Sequence, residues 1–370
     1  MNQVNAAVSA GTWPVQPYQG AAVWSWGENG MGQLGLGTTV DKSSPNQVGA
    51  LTSWIKIANG YAHTLAIKLD GTLWAWGNNN AGRLGTGGGY KSSPNQVGAL
   101  TNWFTVAAGR GFSVSVKTDG SLWSWGVNAN GQLGDSSTTN RSSPGQVGAL
   151  TTWSKISCGN GFTLSIKTDG TLWSWGQNNN GQLGLGNTTS FSSPKQVGAL
   201  STWLAVSAGA YFSVATKTDG TLWTWGMNNY GQHGSGNITN RSSPVQLGAL
   251  TTWLSVACGY ESTVALRTDG ALFTWGRNST GQLGLGNTTS YSSPKQVGAL
   301  LTWSKIAMGQ SHTEAIKTNG TLWSWGWNST GQLGLGDATN RSSPVQVGSL
   351  LTWESVSAGT DFTVCIKNPS

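Results

Sequence analysis

Gly170-Thr171-Leu172-Trp173-Ser174-Trp175-Gly176 is the stretch on which the fold turns. Just before it, Asp169-Gly170 separates two extended runs, Phe162 to Lys167 and Thr171 to Trp175, both rich in β-branched and aromatic residues. Asp-Gly between such runs marks a tight hairpin, because glycine takes a positive φ that a branched residue resists. The same Trp-x-Trp-Gly string starts at Trp24, Trp74, Trp123, Trp173, Trp223 and Trp323, and a seventh copy has Phe273 for its first Trp. Successive starts differ by 50, 49, 50, 50, 50 and 50 residues. Periods of that length identify a repeat architecture and must be read before any other feature.

Each unit carries further punctuation: Gly181-Gln182-Leu183-Gly184, then Ser192-Ser193-Pro194, then Gln196 to Leu200 and a lone Trp203. Trp153 to Ser157 supplies a first strand, the two runs around Asp169-Gly170 supply two more, and a fourth is expected around Gln196 to Leu200. About four antiparallel strands per unit, repeated seven times without helical periodicity, predict an all-β closed seven-bladed β-propeller. The chain enters at a third strand, Ala22 to Trp26, and ends on a second, Phe362 to Lys367. Pairing these fragments completes one blade from both termini and removes two sheet edges. Residues 1–20 stand apart as an extended arm before a single propeller domain, 21–370. The arm's Trp13 and Tyr18 sit beside two prolines and are expected to dock on a surface.

Charged residues are only 9% of the 370, so Asn, Gln, Ser and Thr carry the polarity. No apolar run approaches the length of a membrane span, and no insertion is expected. The net charge of +7 raises nucleic acid as a partner. However, the basic residues recur at hairpins, where Lys68, Lys117, Lys167, Lys217 and Arg267 are each followed two residues later by Asp, so nucleic acid is not expected. Cys158 and Cys258 share one repeat position with Ala108, Ala208 and Ala358, which reads as a small buried slot for a free thiol. His63, His233 and His312 lie in separate strings, and no catalytic, metal or cofactor constellation emerges; a non-enzymatic protein is expected.

The Gly170 to Gly176 string, followed by Asn178-Asn179-Asn180-Gly181-Gln182-Leu183-Gly184, resembles the repeat of the regulator-of-chromosome-condensation family over residues 21 to 367. The resemblance implies the seven-bladed propeller. It does not by itself imply the founding member's nucleotide-exchange activity, since function resides in sites and not in folds.

Two variable series interrupt the constant scaffold. One is the triplet after each strand-opening Gly, which contributes Tyr61, Arg110, Tyr211, Tyr260, Glu261, Gln310 and Asp361. Propeller symmetry places equivalent positions on one ring, and variable side chains on a fixed ring suit recognition. The other is the loop after Trp-x-Trp-Gly, where Tyr230 and Trp327 depart from small polar neighbours. Low charge and the absence of a signal-like segment in residues 1–20 lead to the expectation of a docking protein of a phage or virus particle, at a virion or extracellular surface, or otherwise cytoplasmic. Its partners would be protein neighbours in an assembly. Surface glycans stacked on Tyr61, Tyr211, Tyr260, Tyr230 or Trp327 form one alternative. A guanine-nucleotide exchange factor or chromatin binder, as the resemblance suggests, is the other.

Overall fold

In the unit that begins at Trp153 the strands are Trp153–Cys158, Phe162–Lys167, Leu172–Gly176 and Phe191–Gln196, paired antiparallel in that order. The hairpin between the second and third holds Gly170 at φ +78°, and a Cβ there would meet the Ser201 carbonyl oxygen at 2.2 Å. Glycine is required there both by conformation and by the close approach of the next connection. The structure, a computed structural model, describes residues 21–369, and its seven four-stranded sheets repeat this blade around a ring. Among the described residues the only helical turn is the short 3₁₀ segment Asn80–Gly82.

The outer strand corrects the expectation of a strand at Gln196 to Leu200. It spans Phe191–Gln196, including Ser192-Ser193-Pro194, and Gly198 to Leu200 belong to the connection beyond it. A proline is tolerated because this strand is the blade's edge, and its pairing with the third strand is interrupted by an irregularity between Ser174 and Gly176. The same residue blunts an edge that would otherwise invite pairing with another chain.

Blades are fastened to one another by the repeated strings. The second Trp of each Trp-x-Trp-Gly is fully buried. In every blade but that of Trp125 its indole N–H donates to the Gln carbonyl of the preceding blade's Gly-Gln string: Trp76 to Gln33 at 2.9 Å, Trp175 to Gln132 at 3.0 Å, Trp225 to Gln182 at 2.8 Å. The Thr64, Thr163 and Ser213 hydroxyls donate to the same three carbonyls. Asn178 spans its loop, accepting from Leu183 N–H and donating to the Asn187 and Thr189 carbonyls. Low charge and abundant Asn, Gln, Ser and Thr are thus demands of the scaffold.

The last blade to close is composite. Ala22–Gly27 pairs with Phe362–Lys367 in unbroken register from Ala22↔Lys367 to Gly27↔Phe362, and the sheet is completed by Lys42–Gln47 and Trp353–Ala358. The Trp26 indole N–H donates to the Gln332 carbonyl at 2.9 Å, so the composite blade uses the same latch as the blades of Trp76, Trp175 and Trp225. Residues 1–20, with Trp13 and Tyr18, lie outside the described residues.

Candidate functional site

The inner strand of each blade runs toward one end of the channel and turns there into the second strand, while the third strand returns to that same end. Both variable series therefore emerge on one face. Backbone hydrogen bonds tie them together: the residue after each Trp-x-Trp-Gly donates its N–H to a carbonyl of the inner turn. Examples are Glu28 to Asp361 at 2.8 Å, Met227 to Tyr211 at 2.9 Å, Arg277 to Glu261 at 2.9 Å and Trp327 to Ser311 at 2.8 Å. The result is two concentric rings of variable side chains held by invariant backbone.

Inside the inner ring the channel opens into a cavity of about 510 Å³, whose lining includes Asn59, Tyr61, Arg110, Asn160, Tyr260 and Gln310. Tyr61, Arg110 and Gln310 are exposed, whereas Tyr211, Tyr260, Glu261 and Asp361 are half-buried. The Arg110 guanidinium lies over the Tyr61 ring at 5.5 Å, and Tyr211 meets Tyr260 edge-on with centroids 6.0 Å apart. On the outer ring Tyr230 is exposed and Trp327 half-buried. Arg277 sits 5.3 Å from the Tyr230 ring centroid and bridges back to Glu261 at 2.8 Å. The structure therefore joins Tyr230 and Glu261 through a residue that the sequence reading passed over.

Arg277 was legible in principle. The position directly after Trp-x-Trp-Gly reads Glu28, Asn78, Val127, Gln177, Met227, Arg277 and Trp327, a variable series as clear as the inner one. A second residue passed over is Arg83, which breaks the Gly-Gln-Leu-Gly string. Its guanidinium donates to the Asn80 and Arg110 carbonyls. At that seam the Trp125 indole N–H has no partner, unlike its counterparts in other blades.

Charge divides this face. Arg83 and Arg110 gather near the second and third blades, while the composite blade carries Glu28, Asp41 and Asp361. Burial, then the neighbouring Asp361 and Asp41, push the Glu28 carboxyl above its usual range. Burial raises Asp361 as well, against a hydrogen bond from Gln332 Nε2 at 3.3 Å.

His63 and His312 stand where other blades place Phe112, Phe162, Phe212 and Phe362, and both are fully buried. Burial holds each imidazole at a pKa of about 3, and His233 at about 4, so all three are neutral packing groups at pH 7. All three cysteines are free, with Cys258 and Cys365 buried, and burial pushes the Cys258 thiol up to about 12. Among the described residues no three His, Cys, Asp or Glu side chains gather as metal ligands.

The RCC1-like domain model matches residues 19–365. The chain belongs to the RCC1-like family. Human WBSCR16 superposes with a TM-score of 0.86 at 24% identity, covering 95% of this chain and 99% of that one. Prp20p from Saccharomyces cerevisiae superposes at 0.85 with 22% identity, covering 95% and 92%. A more distant likeness is the WD40 ectodomain of the Arabidopsis thaliana receptor kinase ACR4, at 0.51 and 17% identity over 86% and 93%. At these identities the likeness establishes the shared fold.

Membership of the RCC1-like family across the whole ring corrects the reading of a phage or virus particle protein. That reading rested on low charge, and the low charge is accounted for by loop clamps and blade latches that consume uncharged polar side chains internally. Of the platforms in the glycan alternative, Tyr61 and Tyr230 each pack against an arginine and Tyr211 and Tyr260 against each other, while Trp327 stands half-buried.

Proposed function

We propose that this RCC1-like propeller is a protein-docking module of the exchange-factor and chromatin-binding kind, and that it engages its partner through the two variable rings. The observation that carries the reading is family membership over residues 19–365, combined with a face that is variable in side chains and rigid in backbone. Prp20p is described by its binding to Gsp1p and to histones. A pre-organised face of this type binds with little ordering cost, and its aromatic and arginine anchors are the residue types that dominate protein interfaces. An exchange factor needs no catalytic group of its own: binding the nucleotide-free form of a GTPase more tightly than the loaded form is sufficient to speed release.

The deciding experiment is release of fluorescent GDP from Gsp1p and from its human counterpart in the presence of this chain, beside a histone-octamer pull-down. Acceleration of release or saturable histone binding, either one lost in Arg110→Glu, is expected. Intrinsic release rates together with no histone retention would overturn the assignment.

A further inference from the structure

Arg83 stands where the other six blades carry Gln33, Gln132, Gln182, Gln232, Gln282 and Gln332. There the glutamine closes its own loop: Oε1 accepts from the main-chain N–H two residues earlier, as Asn130 donates to Gln132 and Asn180 to Gln182, both at 2.9 Å. A guanidinium is a donor only and cannot replace that bond. The loop of Arg83 is correspondingly strained. Ala81, the residue left without that acceptor, takes a left-handed φ of +57°, and the Trp125 indole N–H across the seam has no partner. A substitution that disturbs its own surroundings points to a role outside them.

What the variable face gains is a cation that no acid neutralises. Arg83 is 8% exposed. Its Nε and Nη1 donate to the Asn80 and Arg110 carbonyls at 3.0 and 3.2 Å, while Nη2 donates to none of the described residues and stays open to solvent beside Gly111. Burial lowers the pKa of this guanidinium; Tyr90 opposes the shift and the like charge of Arg110 adds to it. A charge so far withdrawn from water is ordinarily paired with an opposite one. Among the described residues, however, no ion pair includes Arg83 or Arg110. Arg110 itself is exposed at the mouth of the channel, its guanidinium over the Tyr61 ring.

We propose that Arg83 and Arg110 together bind a carboxylate of the docking partner, an Asp or Glu in a short acidic segment laid across the channel mouth beside Tyr61; this rests on the docking reading above and names its chemistry. The open edge of a guanidinium matches a carboxylate in geometry as well as charge, and a site already stripped of water makes each such bond stronger. Arg83 is held in place by its two carbonyls before the partner arrives, so little order is lost on binding. The rest of the same face selects a short segment over an extended polyanion: Glu28, Asp41 and Asp361 at the composite blade would repel a nucleic-acid backbone.

Fluorescence anisotropy of a rhodamine-labelled short Asp/Glu peptide, titrated with the full chain, tests this beside the Asn/Gln counterpart of that peptide. Arg83→Gln installs the residue of the other blades and is expected to raise the melting temperature while weakening binding of the acidic peptide about tenfold or more, the worth of a charge-assisted hydrogen bond. Arg110→Ala is expected to weaken it similarly. Arg241→Gln, which removes one exposed positive charge from the outer strand of the Trp225 blade, is expected to leave it unchanged. A parent that binds both peptides alike, an Arg83→Gln protein that binds as the parent does, or equal losses in all three variants would overturn the proposal. So would inorganic phosphate that displaces the acidic peptide as effectively as unlabelled peptide does, since the pair would then be a site for a free oxyanion. Nucleotide release and histone retention are read separately: peptide binding that follows Arg83 with both of those negative leaves this site standing and removes only the exchange and chromatin assignment.

Discussion

At the residue scale, Glu314 breaks the pattern most sharply. Its strand position holds Leu65, Val114, Leu164, Val214, Val264 and Val364 elsewhere, yet the carboxyl is fully buried at the seam with the composite blade. One oxygen accepts from Thr363 Oγ1 at 3.2 Å, and the other has no partner. His312 Nε2 lies 3.1 Å from the same hydroxyl. Burial pushes the Glu314 carboxyl well above its usual range. A raised folded pKa means that stability is fully present below the unfolded value, near 4.5, and is lost as pH rises through the folded one. His63 and His312 act oppositely, being lowered from 6.5 to about 3, so their contribution is lost as pH falls below 6.5. Glu314→Val is therefore expected to raise unfolding free energy at pH 8 by about 2 kcal/mol and to remove the loss of stability that sets in as pH rises above 4.5. The acid decline from the histidines should persist. Urea melts of both proteins between pH 4 and pH 9 measure this; a Glu314→Val protein no more stable than the parent at pH 8 would refute it.

At the scale of the element, the hairpin shows how one short string serves several bonds. Asp169 Oδ1 accepts from Thr171 N–H and Oγ1–H, and Thr171 Oγ1 in turn accepts the Trp173 indole N–H. Lys167 does not bridge to Asp169, as their spacing suggests, but lies over the rings of Trp153 and Trp173, 4.9 and 3.7 Å from their centroids. The aspartate is occupied by the turn, and two indole faces offer the ammonium a partly dry site; its pKa falls through burial, offset by Asp169. Only the last Lys or Arg of the Asp-bearing series, Arg267, pairs directly with its aspartate. Lys167→Met keeps the apolar stem and deletes the cation, and is expected to cost about 1 kcal/mol. Denaturant unfolding at low and high salt distinguishes the terms: a cation held by ring faces loses little with salt, whereas an exposed Lys–Asp pair would be screened.

For the whole molecule, closure is the step on which all seven blades depend. Phe362–Lys367 is paired on one side with Trp353–Ala358 and on the other with Ala22–Gly27. Removing residues 359–370 strips both neighbours of their partner and exposes two edges at once. That truncation is expected to abolish the single sharp thermal transition seen by circular dichroism, while truncation after Lys367 preserves it. A truncated ring that still melts as one cooperative unit would show that the shared blade is dispensable.

The amino-acid sequence by itself determined the repeat, the hairpins, the ring of seven and the composite blade, because each follows from short-range rules. Asp169-Gly170 specifies a turn within a few residues, and seven equal units with complementary ends close only one way. Tertiary structure decided the rest. The outer strand at Phe191–Gln196 was hidden because Ser192-Ser193-Pro194 is a poor strand by propensity and is acceptable only at an edge. Tyr230 and Glu261 were legible as two separate candidates, but their union through Arg277 depends on the inner turns and outer loops sharing one end of the blades. Glu314 became a seam residue, and Trp26 a latch to Gln332 across 306 positions of sequence, only when the ring closed. Local rules reach a few residues along the chain; a closed ring sets side chains together that those rules never compare.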